Sequence, residues 1–233
     1  MSWAEVFKIN NNMKKPLNEQ MRDMKFQPIR IITATGTFKP EKTGLYKVIC
    51  VGAGGNGEKY GSSGANVHYI ASGGGGGVAI KTLRLLSTTS YNITVGTTAS
   101  FTHGSGSLTA VAGSDGDAAG EKPGKGGTAS GGDLNYTGTD GSYLYVNSSK
   151  NHQICPTPGS VGVFISDLSR KVESTWVTLV NANGACQIRY GDSILGYGGG
   201  GSGVGDYYST SAVSQVLAGL PAAVIIAPIE MEE

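Results

Sequence analysis

The chain has 233 residues, of which 38 are glycine, and its 18 Lys and Arg residues nearly balance its 17 Asp and Glu residues. This balance argues against a nucleic-acid-binding protein, which needs a basic surface, and the charged fraction of 15% argues against charge-driven disorder. Glycine does not recur at every third position, which excludes a collagen triple helix. The length suits one domain, or one large domain with a small appendage.

Residues 1–26 differ in pattern from the rest. Ser2 and Glu5 fit a capping box that opens a short helix, and Pro16 suits the first turn of a second one. Helices this short cannot bury a core alone, so they must pack on the main domain, on sister chains or on a partner. We therefore predict a helical attachment segment, residues 1–26, ahead of a β domain, residues 27–233. Its apolar stripe consists of Trp3, Val6, Phe7, Leu17, Met21 and Met24.

From Pro28 onward the pattern favours β-structure. Many short strands with glycine-rich turns, and no long helical period, predict an all-β, glycine-rich sandwich of jelly-roll-like kind. The run Ser169–Val180 is ambiguous. The predicted strands are Ile29–Thr37, Gly44–Val51, Val78–Leu85, Ser90–Val95, Leu108–Ala112, Val161–Ile165, Cys186–Tyr190 and Ala223–Ala227.

Glycine is concentrated in patches that cover much of the chain. Either these patches are mobile, or their backbones pack against one another with almost no side-chain volume between them. The apolar and aromatic residues within them favour packing, because flexible Gly/Ser linkers lack such residues. The patches are Gly52–Gly64, Gly73–Gly77, Gly104–Gly106, Gly113–Gly141 and Gly196–Gly205.

The run Gly52–Gly57 matches the G-x-G-x-x-G fingerprint of dinucleotide-binding proteins and follows a predicted strand. That chemistry also needs a helix immediately afterwards, and the residues from Glu58 onward have no helical period. The three histidines, His68, His103 and His152, are scattered and complete no four-ligand metal site. We therefore expect no cofactor and no metal.

Enzymatic activity has little support in the sequence. Asp133 and Asp140 lie in a glycine-rich stretch and could form a hydrolytic pair, but Asp in such stretches usually makes turns. We expect no catalytic residues. The odd number of cysteines without a close pair predicts free thiols in a chain made in a reducing cytoplasm. The longest apolar run, Val216–Ile229, is too short to span a membrane and is interrupted by Pro221.

Tyrosine is the most informative aromatic residue, with 11 copies, many in or beside glycine patches. Its ring offers a large apolar face and its hydroxyl a hydrogen-bonding tip, a combination that suits sugar or protein surfaces. The alternative is that each tyrosine fills a local packing layer. The candidate receptor-binding residues are Tyr60, Tyr69, Tyr136, Tyr143, Tyr207 and Tyr208.

The run Phe38–Gly55 resembles the opening of the glycine-rich domain of phage and prophage tail-fibre proteins, in which a strand leads into the first glycine patch. Later elements follow the order of that family, and residues 1–26 resemble the N-terminal segment of tail proteins from clostridial phages and prophages. The stretch Gly138–Val180 is less glycine-rich than the family pattern. The later elements are Gly73–Leu85, Tyr91–Gly96, Thr109–Gly113, Gly196–Gly203 and Ala222–Pro228.

The resemblance implies a virion component at the tail or baseplate of a phage or tail-derived bacteriocin, binding the host surface as a homotrimer. Its expected partners are itself, tail baseplate or fibre proteins, and a host surface glycan or surface-layer protein. The charge balance and the short apolar run argue against a nucleic-acid partner and against membrane insertion, and the resemblance supplies no catalytic residues. Two alternatives stay open: a structural baseplate or connector protein without receptor contact, and a glycan-degrading tailspike.

Overall fold

The computed structural model describes residues 28–60, 67–104, 106–147, 157–161, 176–181, 184–189, 193, 197–201 and 216–232. Every regular element in these ranges is a β-strand, and all the strand pairs are antiparallel. The all-β prediction is therefore confirmed. The helices predicted in residues 1–26, with the stripe from Trp3 to Met24, lie outside the described residues, as do Tyr207 and Tyr208.

Two five-stranded sheets form the larger part of the described fold. The first sheet has the order β1-β15-β3-β6-β11 and the second β10-β9-β8-β7-β2, in which the strands are numbered along the chain. The strands of the first sheet are β1 (Arg30–Ile32), β3 (Gly44–Val51), β6 (Val78–Leu85), β11 (Leu134–Tyr136) and β15 (Ala223–Met231). Those of the second are β2 (Gly36–Phe38), β7 (Tyr91–Val95), β8 (Ala99–His103), β9 (Gly106–Ala110) and β10 (Ala129–Ser130).

A smaller third sheet and a separate hairpin complete the described strands. The third sheet has the order β12-β5-β4. Its strands are β4 (Glu58–Tyr60), β5 (Val67–Ala71) and β12 (Tyr143–Asn147). The hairpin consists of β13 (Trp176–Asn181) and β14 (Gly184–Arg189).

The main core lies between the first and second sheets. Strand side chains alternate between faces, so Tyr46, Val48 and Cys50 of β3 all point to one side, where they meet Phe101 and Leu108 of the second sheet. These five side chains are almost completely buried. A second cluster covers the opposite face of the first sheet and consists of Ile49, Val51, Val78, Ile80, Val161 and Ile225.

The predicted strands Gly44–Val51 and Val78–Leu85 are confirmed as β3 and β6, which are neighbours in the first sheet. The predicted strand Ile29–Thr37 is wrong as one element, because the chain changes sheets within it. β1 pairs with β15, whereas β2 pairs with β7. At the crossing, the Thr35 hydroxyl donates to the carbonyl oxygen of Val95 and accepts from its N–H, at 3.1 and 3.0 Å.

Between the two large sheets at one end and the third sheet at the other, the glycine-rich segments form a bundle of extended chains around residues 72–77. Along this central segment the backbone N–H groups point to different neighbours with a period of three. Gly73 and Gly76 donate to segment 197–201, while Gly74 and Gly77 donate to segment 111–116. A period of three without internal hydrogen bonds is the geometry of a polyproline-II-like helix.

Six segments surround the central one, and each is hydrogen-bonded to it. Each of these segments is also hydrogen-bonded to the next one around the centre, so that the six form a closed ring. The bonds around the ring run from Gly113 N–H to Ala53 O, Val111 N–H to Thr128 O, Gly138 N–H to Gly127 O, Thr139 N–H to Ser160 O, Gly200 N–H to Gly159 O and Gly201 N–H to Gly55 O. Segment 217–221 packs outside this ring against two of its members. The six ring segments are 52–57, 111–116, 123–128, 137–142, 157–161 and 197–201. We call the whole array the glycine bundle.

The bundle requires glycine because the backbones approach too closely for a side chain. A Cβ atom at Gly75 would overlap the carbonyl oxygen of Ser160, and one at Gly74 that of Lys125. Positive backbone φ is not the reason, because none of the five glycines 73–77 has a φ in the left-handed range. The central segment is enclosed on all sides, which explains why five consecutive residues are glycine. The packed-glycine interpretation is thus confirmed for the patch glycines that lie in the bundle, whereas Gly104, between β8 and β9, has open space around it and a φ of 51°.

Ring segments face the centre on only one side, so glycine can be spaced along them. Gly138 and Gly141, three residues apart, lie against the central segment, and the residues between them point elsewhere. At the rim, side chains replace missing backbone acceptors. The carboxylate of Asp140 accepts from the Gly126 N–H at 2.8 Å, and the hydroxyl of Ser114 accepts from the Lys125 N–H at 2.7 Å.

Candidate functional site

The bundle connects the two large sheets to the third sheet. β3 runs through segment 52–57 into β4, and β5 runs through the central segment into β6. At about 3.1 Å per residue, six extended residues place the third sheet roughly 19 Å beyond the end of β3. The third sheet therefore lies at the opposite end of the bundle from the sandwich, on a support that is hydrogen-bonded throughout.

Three of the predicted receptor-binding residues come together on this third sheet. The register pairs Tyr60 of β4 with Tyr69 of β5, and residues opposite each other on antiparallel strands share one face. The rings of Tyr60 and Tyr69 lie 6.3 Å apart, centroid to centroid, with a tilt of 41°. The rings of Tyr69 and Tyr143 lie 6.1 Å apart and are nearly parallel, at 21°. We call these three residues the tyrosine cluster.

A turn between Asp117 and Lys122 covers the part of this face that lies nearest the bundle. The carboxylate of Glu58, which shares the face with the cluster, accepts a hydrogen bond from the Ala118 N–H at 2.7 Å. Ala71 and Ala118 are fully buried. The turn is closed by an antiparallel bridge between Asp117 and Lys122. The exposed part of the cluster is therefore the part farther from the bundle, where Tyr60 is 56% exposed.

An exposed aliphatic residue lies at the same end of the molecule. The Gly57 N–H donates to the carbonyl oxygen of Leu217 at 3.0 Å, which puts Val216 beyond the bundle on the side of the third sheet. Val216 is 49% exposed. Sequence reasoning did not select it, because a single valine between Gln215 and Leu217 has no distinguishing pattern.

The other candidates divide into two groups. Tyr136 lies on β11 in the first sheet, opposite Val78, and packs against the second core cluster together with Tyr197. It is separated from the tyrosine cluster by the bundle, so for this residue the packing alternative is the better interpretation. Tyr207 and Tyr208 are outside the described residues.

The two aspartates considered for hydrolysis each have partners of their own. Asp133 accepts from the Thr82 N–H, and its carboxylate lies 3.8 Å from the Lys81 ammonium. Asp140 forms an ion pair with Lys125 at 2.7 Å, and the hydrogen bonds from Lys125 and from the Gly126 N–H hold the pKa of Asp140 below its ordinary value. Both carboxylates stabilise local structure.

The fingerprint-like segment 52–57 also has a structural role. All of its N–H groups donate within the protein, five to backbone carbonyls and that of Asn56 to the Asp115 carboxylate at 2.7 Å. A bound pyrophosphate would have to displace these bonds. In the part of the chain that the structure describes, no three His, Cys, Asp or Glu side chains are grouped so that they could hold a metal ion.

No protein-family model and no curated protein matches this sequence. Within the described ranges, none of the elements is a helix of the length and apolar character needed to cross a membrane.

Proposed function

We propose that the chain is a tail-fibre or baseplate component of a phage, or of a tail-derived bacteriocin, and that it binds the host cell surface. In this proposal it acts on the virion as a homotrimer and contacts a surface glycan or surface-layer protein. The observation that carries the proposal is the tyrosine cluster on the third sheet, presented at one end of the glycine bundle. The resemblance of the sequence to glycine-rich tail-fibre domains supplies the biological setting.

The physical properties of this end suit weak, repeated recognition. Tyrosine rings give apolar contact area with few torsions to immobilise, and their hydroxyl groups can bond to polar edges. A glycine bundle whose backbone groups are mutually hydrogen-bonded holds the sheet in place, which limits the entropy lost on binding. Several copies on one particle would raise the effective affinity without further contacts.

The alternatives have less support. A glycan-degrading tailspike would need a pair of carboxylates beside the substrate, whereas Asp133 and Asp140 are engaged in separate structural contacts. A connector without receptor contact would not need an exposed tyrosine such as Tyr60 on the third sheet. The described fold supplies the two packed antiparallel sheets, and the jelly-roll-like connectivity expected from the sequence stays a prediction.

The proposal is tested by replacing Tyr60 with alanine and measuring both adsorption to host cells and thermal unfolding. We expect adsorption to fall several-fold while the melting temperature changes little, because Tyr60 is more than half exposed. Leu134→Ala is the matched control, since Leu134 is 52% exposed but lies on β11 of the first sheet. Normal adsorption by Tyr60→Ala and Tyr69→Ala together would refute the assignment of the site.

A further inference from the structure

The second sheet differs from the first in that none of its five strands contains Lys, Arg, Asp or Glu. The first sheet has charged residues in β1, β3, β6 and β15. In the sequence, no charged residue occurs between Arg84 and Asp115, the stretch that supplies β7, β8 and β9. Soluble domains usually carry charge on roughly 25–35% of their surface residues, so an uncharged five-stranded sheet is unusual.

The outer face of this sheet consists of small polar side chains. Ile93, Phe101 and Leu108 are buried in the main core, and strand side chains alternate between faces, so their neighbours in the strands point away from the core. Every outward position in the five strands is Ser, Thr or Asn, and six of the eight are exposed. We call this surface the hydroxyl face. Its members are Thr37, Asn92, Thr94, Ser100, Thr102, Ser107, Thr109 and Ser130.

The strand register arranges these side chains in rows that cross the sheet. Thr94 lies opposite Ser100, Ser100 opposite Thr109, and Thr109 opposite Ser130. The other four members form a second row beside this one. Neighbouring strands lie about 4.8 Å apart and same-face residues along one strand about 6.7 Å apart, so the face is a grid of polar groups roughly 19 Å across.

The chemistry of the face favours one class of partner. A charged polymer would find no opposite charge on these strands, and a protein interface normally has aromatic, Met or Arg side chains at its core, which this face lacks. A hydroxyl group both donates and accepts hydrogen bonds, so an array of hydroxyls matches another array of hydroxyls. Threonine is stiff at χ1 and loses less side-chain entropy on binding than the lysines and glutamates of an ordinary surface.

We infer that the hydroxyl face is a second binding surface, and that its ligand is an uncharged, polyhydroxylated polymer, a neutral polysaccharide chain. This goes beyond the proposed function, whose recognition site is the tyrosine cluster on the third sheet. Each hydrogen bond to a sugar replaces one to water, so a single sugar gains little. A chain that crosses several strands makes many such contacts at once, and its affinity therefore increases with its length.

The test measures binding of the full-length protein to immobilised dextran, mannan and cellulose, with dextran sulfate as a charged counterpart. We expect binding to an uncharged polysaccharide that changes little with salt, competition that improves with oligosaccharide length, and no binding to dextran sulfate. The double variant Thr94→Val/Thr102→Val keeps the β-branched shape without the hydroxyls and should bind several-fold more weakly. Thr94→Ser/Thr102→Ser should bind normally. Thr82→Val, exposed on the outer face of the first sheet, is the matched control.

Circular dichroism and thermal unfolding show which variants fold, and Thr37→Val on the edge strand β2 replaces the double variant if that one does not. The inference is wrong if the wild type binds none of the uncharged polysaccharides, or if the folded valine variants bind them equally well. Loss of binding by Tyr60→Ala alone would assign the polysaccharide to the tyrosine cluster, which contradicts the inference and leaves the proposed function standing. Light scattering covers the remaining occupant, because an oligomer that the valine variants dissolve would mean that a second copy covers this face.

Discussion

The missing side chain of glycine, rather than its backbone freedom, determines the centre of this fold. We predict that Gly75→Ala destabilises the protein by about 3 kcal/mol, because its Cβ would overlap backbone atoms of a neighbouring segment that is itself enclosed by the ring. Gly96→Ala is the control, since a Cβ there meets nothing within 4 Å, and it should change the stability by less than about 1 kcal/mol.

Urea unfolding of the two variants decides the matter. An insoluble Gly75→Ala chain agrees with the prediction when Gly96→Ala folds normally. Equal unfolding midpoints for the two variants would mean that the glycine bundle is not as closely packed as described.

Cys50 is a second residue whose chemistry follows from its position. Its side chain is fully buried in the main core, and burial raises the pKa of its thiol to about 12. The reactive thiolate is therefore nearly absent at neutral pH. We predict that iodoacetamide leaves Cys50 unmodified in the native protein and alkylates it after denaturation, as peptide mass mapping will show. Rapid native modification would contradict its place in the core.

At the scale of elements, polar side chains hold the rim of the bundle. The pKa of Asp140 is lowered by Lys125 and by the Gly126 N–H, so its carboxylate stabilises the fold above the ordinary Asp pKa. That stability is lost as the pH falls through the folded-state pKa. Because both side chains are largely exposed, the contribution is about 1 kcal/mol at most at moderate salt.

Asp140→Asn should therefore lower the melting temperature near neutral pH, and the difference should shrink as the pH falls through the lowered pKa of the folded-state carboxyl, where the wild-type side chain becomes protonated. Lys125→Met should weaken the pair similarly, and the double variant should be no worse than the sum of the single ones. A constant difference between wild type and Asp140→Asn across the pH range would exclude the carboxylate as the cause.

The long strands were accessible from the sequence for a simple reason. β3 and β6 combine β-branched residues with a turn or glycine patch at each end, and both were predicted with their observed bounds. β4, β11 and β12 are short and lie beside glycine patches. β4 pairs with the next strand, β5, but β11 pairs with β6 and β12 with β5, which are distant in the chain. Local pattern contains no information on such pairing, so the third sheet could not be predicted.

The same limit applied to the candidate site. Composition indicated tyrosines beside glycine patches, but Tyr60 and Tyr143 come together only because the central segment and two ring segments run side by side. Tyr136 has the same sequence context and lies at the other end of the bundle, in the second core cluster. Glycine identity alone does not specify which segments become neighbours.

For the whole molecule, the proposal separates attachment at one end from recognition at the other. We predict that deleting residues 1–26 leaves a β domain with cooperative thermal unfolding that no longer joins tails. In the part of the chain that the structure describes, the core clusters consist of residues from Tyr46 onward, with Ile32 and Phe38 packed against them, and the deletion leaves all of these in place. Immunoblotting of purified particles is the readout, and incorporation of the truncated chain at wild-type levels would refute this role.

The measurement that tests host recognition most directly is competition. Purified full-length protein is added to cells of the strain that the particle targets, and adsorption of intact particles is then counted. The proposal predicts saturable binding of the protein and a dose-dependent loss of particle adsorption, with Tyr60→Ala competing several-fold less well than Leu134→Ala. If the wild-type protein neither binds these cells nor reduces adsorption at saturating concentration, the chain does not contact the receptor.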